Sequence, residues 1–136
     1  MAASASAPIH NSNMKELQDF EVMDGYCCFR VKGNGSLGEA ASKVLNVLTF
    51  CRNNGTRKLL IDTTTWTGHN SPDTLERYTF ATAFAEAAKY AVKVAMVVRP
   101  EFMDPEKFEV AVATNRGLRG NVFDSEQEAL AWLLKA

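Results

Sequence analysis

The chain has 136 residues, 46% hydrophobic and 23% charged, the composition of one globular domain with one core rather than of a disordered segment. Its net charge is −1 and it carries no long basic run, which argues against general nucleic-acid binding; Arg116 and Arg119 do not make a basic stripe. No apolar run approaches the roughly 20 residues of a transmembrane helix. The three cysteines, Cys27, Cys28 and Cys51, form no CxxC or Cys/His cluster, so neither a disulfide framework nor a metal site is expected, and a reducing, cytoplasmic setting is.

The opening MAASASAPIHNSN is rich in Ala and Ser and lacks a charged region followed by an apolar one. It is expected to be a flexible tail over residues 1–15 rather than a secretory signal, followed by one domain over residues 16–136. QDFEVMDGYCCFRVKG predicts a β-hairpin, with Asp24-Gly25 as a type I′ turn. Phe20, Val22, Tyr26, Cys28 and Arg30 are expected on one face, and Cys27 opposite Cys28. GNGS reads as a loop.

SLGEAASKVLNVLTFCRNNG predicts an amphipathic helix, opened by a Ser36/Glu39 capping box and closed at Asn54-Gly55. KLLID has the look of a central buried strand ending at Asp62. A second helix is expected from Ser71, with Ser71 as N-cap, Pro72 in the first turn and Asp73 at the positive end of the dipole, running to about Tyr90. VKVAMVV is the next buried strand. Asp104-Pro105-Glu106 should start a third helix that ends near Asn115-Arg116-Gly117. Asn121–Phe123 reads as a short strand, and Ser125 with Glu128 opens a last helix. The expected fold is α/β: a mixed, mostly parallel sheet with an N-terminal hairpin, about five strands and four helices, and right-handed crossovers.

This order, together with VKGNGSLGEA, KLLIDTTTWTG, TLERYTFATAFAEAA, KVAMVVRPE and NRGLRGNVFDSEQEALAWL, resembles the SpoIIAA-like branch of the STAS superfamily (STAS/SEC14-like domains) over roughly residues 18–134. The resemblance implies an α/β sandwich and a role in protein–protein regulation, as in anti-sigma factor antagonists and the cytoplasmic ends of anion transporters. For this branch it implies no definite activity. In the antagonists a serine at the start of the helix after the Asp-ended strand is phosphorylated, which adds about −1.5 to −2 charges to a recognition surface. Setting Asp62 on that strand-end Asp without a gap puts Pro72 at the acceptor position and Asp73 at the motif's glycine. A phospho-switch of that type is therefore not expected here.

Arg77 falls at helical spacing with Phe80, Ala81, Phe84 and Ala88, and a charge on an apolar face needs a partner. Two expectations follow: it pairs with Asp62, or it holds an anionic ligand beside the helix N-terminus at the carboxyl edge of the sheet. Arg99 ends the next strand at the same edge. Thr65 and Ser71 add hydroxyls, and Trp66, Tyr78 and Phe102 supply either apolar wall or ordinary core. His69 is read as a solvated loop residue. There is no P-loop, no GxGxxG and no nucleophile elbow. Three functions stay open. The first is a non-catalytic regulatory or interaction domain with an unknown protein partner, including a homodimer. The second is a binding protein for an amphipathic or lipid-like anion, with a closed apolar pocket and Arg77 or Arg99 at its mouth. The third, an enzyme, is the least supported and would require Asp62, Ser71 and His69 to meet. No cofactor is expected.

Overall fold

The computed structural model describes residues 19–135; the tail expected over residues 1–15 lies outside them. The described residues form strands β1 (Phe20–Val22), β2 (Cys27–Arg30), β3 (Gly33–Asn34), β4 (Lys58–Asp62), β5 (Trp66–Thr67), β6 (Lys93–Val97) and β7 (Arg119–Phe123). The helices are α1 (Leu37–Asn53), α2 (Thr74–Ala88), α3 (Phe108–Asn115) and α4 (Glu126–Leu134), with a short 3₁₀ turn at Pro100–Phe102. Five strands make one mixed sheet in the order β1-β2-β4-β6-β7, in which β1 alone is antiparallel to its neighbour.

Alternation along the strands divides the core. Phe29, Leu59, Ile61 and Val94 face α1, α2 and α3, whereas Cys28, Leu60, Ala95 and Val97 face α4 through Ala129 and Leu133. The near-continuous apolar runs KLLID and KVAMV are what a parallel strand covered on both faces requires. Asp62 and Lys93 are the buried exceptions. Lys93 lies at the start of β6, and its Nζ donates to the carbonyls of Trp132 and Lys135, each at 2.9 Å. The ammonium thus meets carbonyls at the C-terminal end of α4, where a cation is favoured.

The Asp24-Gly25 turn closes the hairpin as the spacing predicts, with Met23 N donating to Tyr26 O at 2.8 Å. Only Gly25 takes a positive φ, +86°, so the turn is not type I′, which needs positive φ at both central residues. The hairpin faces also differ from expectation. Phe20 pairs with Phe29 and Val22 with Cys27. A two-residue turn sets even positions against odd ones, so Phe20 and Val22 share the face of Cys27, not that of Tyr26, Cys28 and Arg30.

The capping box at α1 stands where the sequence puts it, and the cap of α2 does not. Ser36 and Glu39 bond each other's backbone N–H groups at 3.0 and 2.8 Å. At α2 the N-cap is Asp73, not Ser71: Asp73 accepts from Glu76 N at 2.7 Å, and Glu76 Oε1 accepts from Asp73 N at 2.9 Å. A carboxylate in a reciprocal box makes charge-assisted bonds that a lone hydroxyl two residues earlier does not match. The helix stops at Ala88 rather than Tyr90, because Lys89 and Tyr90 are left-handed, with φ of 49° and 67°. Helix α3 starts at Phe108, later than the Asp104-Pro105-Glu106 reading. Asp104 still satisfies an orphan donor, accepting from Phe108 N at 2.7 Å.

One element has no counterpart among the expected ones. GNGS and TTTWTG contribute β3 and β5, which pair in parallel as a two-stranded ribbon with Gly33 opposite Trp66. Gly33 has φ +129°, and a Cβ built on Gly35 would come within 2.9 Å of the Trp66 ring, so the indole lies flat against this glycine stretch.

Candidate functional site

Between the sheet and α1, α2 and α3 lies an apolar pocket of about 170 Å³. Its floor is Ile61, Val94 and Met96, and its walls include Val44, Phe84 and Val110. The space exists because small residues stand where these helices face the sheet: Ala40 and Ala41 on α1, Ala81 on α2 and Ala113 on α3. Gly120 on β7 adds no side chain of its own.

The loops after β4 and β6 form the mouth. Trp66 is buried in the pocket wall, held by the ribbon and by its Nε1–H, which donates to Ser36 O at 3.2 Å. Phe102 lies between two basic groups, with the His69 ring at 4.7 Å and the Arg99 guanidinium at 5.0 Å. His69 Nδ1 is 2.8 Å from Asn70 O, a contact that requires the proton on Nδ1.

Arg77 reaches the mouth from α2, with its side chain only 13% exposed. Its partner is not Asp62. The guanidinium donates twice to Phe102 O and once to Ser71 Oγ, each at 3.3 Å, and meets Glu109 Oε2 of α3 at 3.4 Å. All four contacts exceed the roughly 2.7–2.9 Å of a tight charge-assisted bond. Among the described residues, Glu109 Oε1 is buried without a hydrogen-bond partner. The pocket is therefore mostly apolar, its polar lining being Thr63, His69, Asn121 and a lip where one cation and one anion, Arg77 and Glu109, face each other.

Asp62 points to the opposite side of the sheet. Its Oδ2 accepts from Arg30 Nη1 at 2.8 Å, and Arg30 grips Glu126 of α4 with a fork at 3.0 and 3.1 Å. Asp62 Oδ1 also accepts from Thr64 N and Thr64 Oγ1. The glutamate fork, more than any other contact, holds the Arg30 guanidinium charged well beyond its ordinary range. This triad ties the start of α4 to the sheet and does not face the pocket.

Of the candidates read from sequence, Trp66, Arg77 and Phe102 line the pocket, and Ser71 touches it only through Arg77. Thr65 is exposed and donates to Val31 O. Tyr78 turns outward, 41% exposed, and its hydroxyl accepts from Arg116 at 2.8 Å. Arg99 backs Phe102 from outside and pairs with Glu101 at 3.6 Å. Asp62, Ser71 and His69, the set that hydrolytic chemistry would need, are not brought together. Among the described residues, no group of His, Cys, Asp and Glu is placed to hold a metal ion.

Glu109 is not among the residues the sequence singles out, although the argument that singles out Arg77 applies to it. It is the one charge in the helix FEVAVATN, so it too requires a partner. No protein-family model matches the chain, and no curated protein matches it.

Proposed function

We propose that this chain is a non-catalytic binding domain that takes the apolar part of a small amphipathic molecule into the pocket under α1, α2 and α3, with the polar end at the lip formed by Arg77 and Glu109. The observation that carries this reading is a pocket of about 170 Å³, walled mainly by apolar side chains and with its two charged groups paired at one lip. Ligand sites are built this way, with hydrophobic lining for affinity and few polar groups for orientation. A dry apolar cavity of about 150 Å³ is enough to bind benzene. The occupant's buried part is thus a single ring or the last six or so carbons of a chain.

A second reading, a regulatory interaction domain of STAS type, is supported by the sequence resemblance and by the outer surface of α2 and α3. There Leu75, Tyr78 and Phe108 stand 72%, 41% and 37% exposed. Both helices also wall the pocket, so the two readings join if occupancy shifts a partner-binding face.

Native mass spectrometry of freshly purified protein, set against its denatured mass, tests the pocket reading. Extra mass that leaves on denaturation, and is lost when Ala81→Leu fills the cavity, is the expected result. Extra mass that persists unchanged in Ala81→Leu would place the ligand elsewhere.

A further inference from the structure

We infer that the pocket selects a ligand whose polar end donates a hydrogen bond, an alcohol or an ammonium on a small apolar body, and rejects a carboxylate or phosphate. This rests on the pocket reading above and reverses the expectation that Arg77 recruits an anion.

The two ends of the lip differ in what they lack. Arg77 is already supplied with acceptors: Phe102 O, Ser71 Oγ and Glu109 Oε2. Its charge is offset by Glu109, so an anion gains little from it. Glu109 is in the opposite position. One carboxylate oxygen serves Arg77, while Oε1 is buried with no donor among the described residues. A carboxylate accepts only, so what completes this site is a donor. The other polar groups at or near the mouth do not meet that need: Thr63 Oγ1 donates to Val97 O at 2.9 Å, and Arg99 Nε, itself buried without a hydrogen-bond partner among the described residues, stands beside Phe102 but does not line the pocket. His69 spends its Nδ1–H on Asn70 O.

Consider each head group in turn. An alcohol O–H or an ammonium N–H that reaches Oε1, once the Glu109 side chain turns to uncover it, satisfies the last acceptor and leaves Oε2 to Arg77. A carboxylate in the same place sets two anions together in a water-poor mouth. To reach Arg77 it must first separate Arg77 from Glu109, which strands the glutamate in the lip without a partner. Discrimination of this kind comes from the unpaired group left behind as much as from the new hydrogen bond.

The matched series toluene, benzyl alcohol, benzylamine and benzoate varies only the head on one ring of suitable size. Binding is read by ¹H–¹⁵N NMR titration of the full chain. The two indole N–H signals make a built-in reporter and control: Trp66 lines the pocket, and Trp132 packs with Phe123 on the other face of the sheet. The expected result is movement of the Trp66 signal alone, with benzyl alcohol and benzylamine binding about tenfold or more tighter than benzoate. In Glu109→Gln the lip loses its negative charge, and benzoate should gain about tenfold while benzylamine loses its advantage. Benzoate binding the unaltered chain as tightly as the alcohol overturns the inference but leaves the pocket reading standing. Toluene binding with no head group making a difference does the same. If none of the four moves Trp66, both readings fall. The unaltered chain decides the question even if Glu109→Gln does not fold.

Discussion

At the residue scale, the pair at the pocket lip joins positions 32 apart in sequence, Arg77 on α2 and Glu109 on α3. Removing one partner strands the other, so the single changes should be worse than the double. Arg77→Met is expected to cost about 2–3 kcal/mol, because Glu109 then has no donor for either oxygen. Glu109→Leu should cost less, since Arg77 keeps Phe102 O and Ser71 Oγ. The double variant should recover about 1 kcal/mol of the sum, as read from urea midpoints in a double-mutant cycle. Strict additivity would mean that the long 3.4 Å contact carries no coupling.

Cys51 provides a second test at this scale, from ionisation. Burial, then the neighbouring Cys27, pushes its thiol up to about 12, against a weaker opposing hydrogen bond from Thr56. The unfolded chain releases that proton near pH 8.5, whereas the folded chain keeps it, so folding stability drains away as pH rises above about 8.5. Cys27 and Cys28, also raised by burial, add in the same direction; Lys93, lowered by burial, acts against them below its ordinary value. Comparing Cys51→Ala with the unaltered chain isolates the one group. The variant should be about 1–2 kcal/mol less stable at pH 7 from lost packing, and at pH 10, where the unaltered chain has lost about 2 kcal/mol, the gap should vanish or reverse. A gap independent of pH would show that the thiol is not held neutral by the fold.

At the scale of elements, legibility follows how local the cause is. The Ser36/Glu39 box, the buried strands KLLID and KVAMV, and the Ser125 cap all rest on neighbours within a turn or on a run of apolar residues, and all are where the sequence puts them. The start of α2 is misplaced because two caps compete within three residues, Ser71-Pro72 and Asp73 with Glu76, and local preference alone does not rank them. The β3–β5 ribbon is invisible in the sequence because its cause is distant: Gly33 pairs with Trp66, and neither two-residue strand has any period to read. For the same reason Arg77 can be recognised as needing a partner, while the partner, Glu109, cannot be chosen. The corrected cap is directly testable. Asp73→Ala should cost about 1 kcal/mol by thermal or urea unfolding, and Ser71→Ala no more than about 0.5 kcal/mol. The reverse order would restore Ser71 as the cap.

At the scale of the whole molecule, the two faces of one sheet are finished differently. Against α4 the layer of Cys28, Leu60, Ala95, Ala129 and Leu133 is closed, and Leu60, Ala95, Ala129 and Leu133 are fully buried. Against α1, α2 and α3 the chain leaves about 170 Å³ unpacked by side chains. Fully enclosed space of that size would forgo roughly 4 kcal/mol of packing at about 24 cal/mol per Å³, and a pocket open at its mouth forgoes less. Three added carbons at Ala81 or Ala113 would recover some of it. The same substitution on the two faces should then have opposite signs. Ala81→Leu or Ala113→Leu should stabilise the chain by about 0.5–2 kcal/mol and abolish the response of Trp66 to toluene. Ala95→Leu or Ala129→Leu, on the closed face, should destabilise it by about 1–3 kcal/mol through overpacking. In the unaltered chain, toluene at about 100 times its dissociation constant should add about 2.7 kcal/mol, a gain the Ala81→Leu chain no longer shows. Equal destabilisation on both faces would mean that the first face has no room to fill, and the pocket with its selective lip would have to be given up.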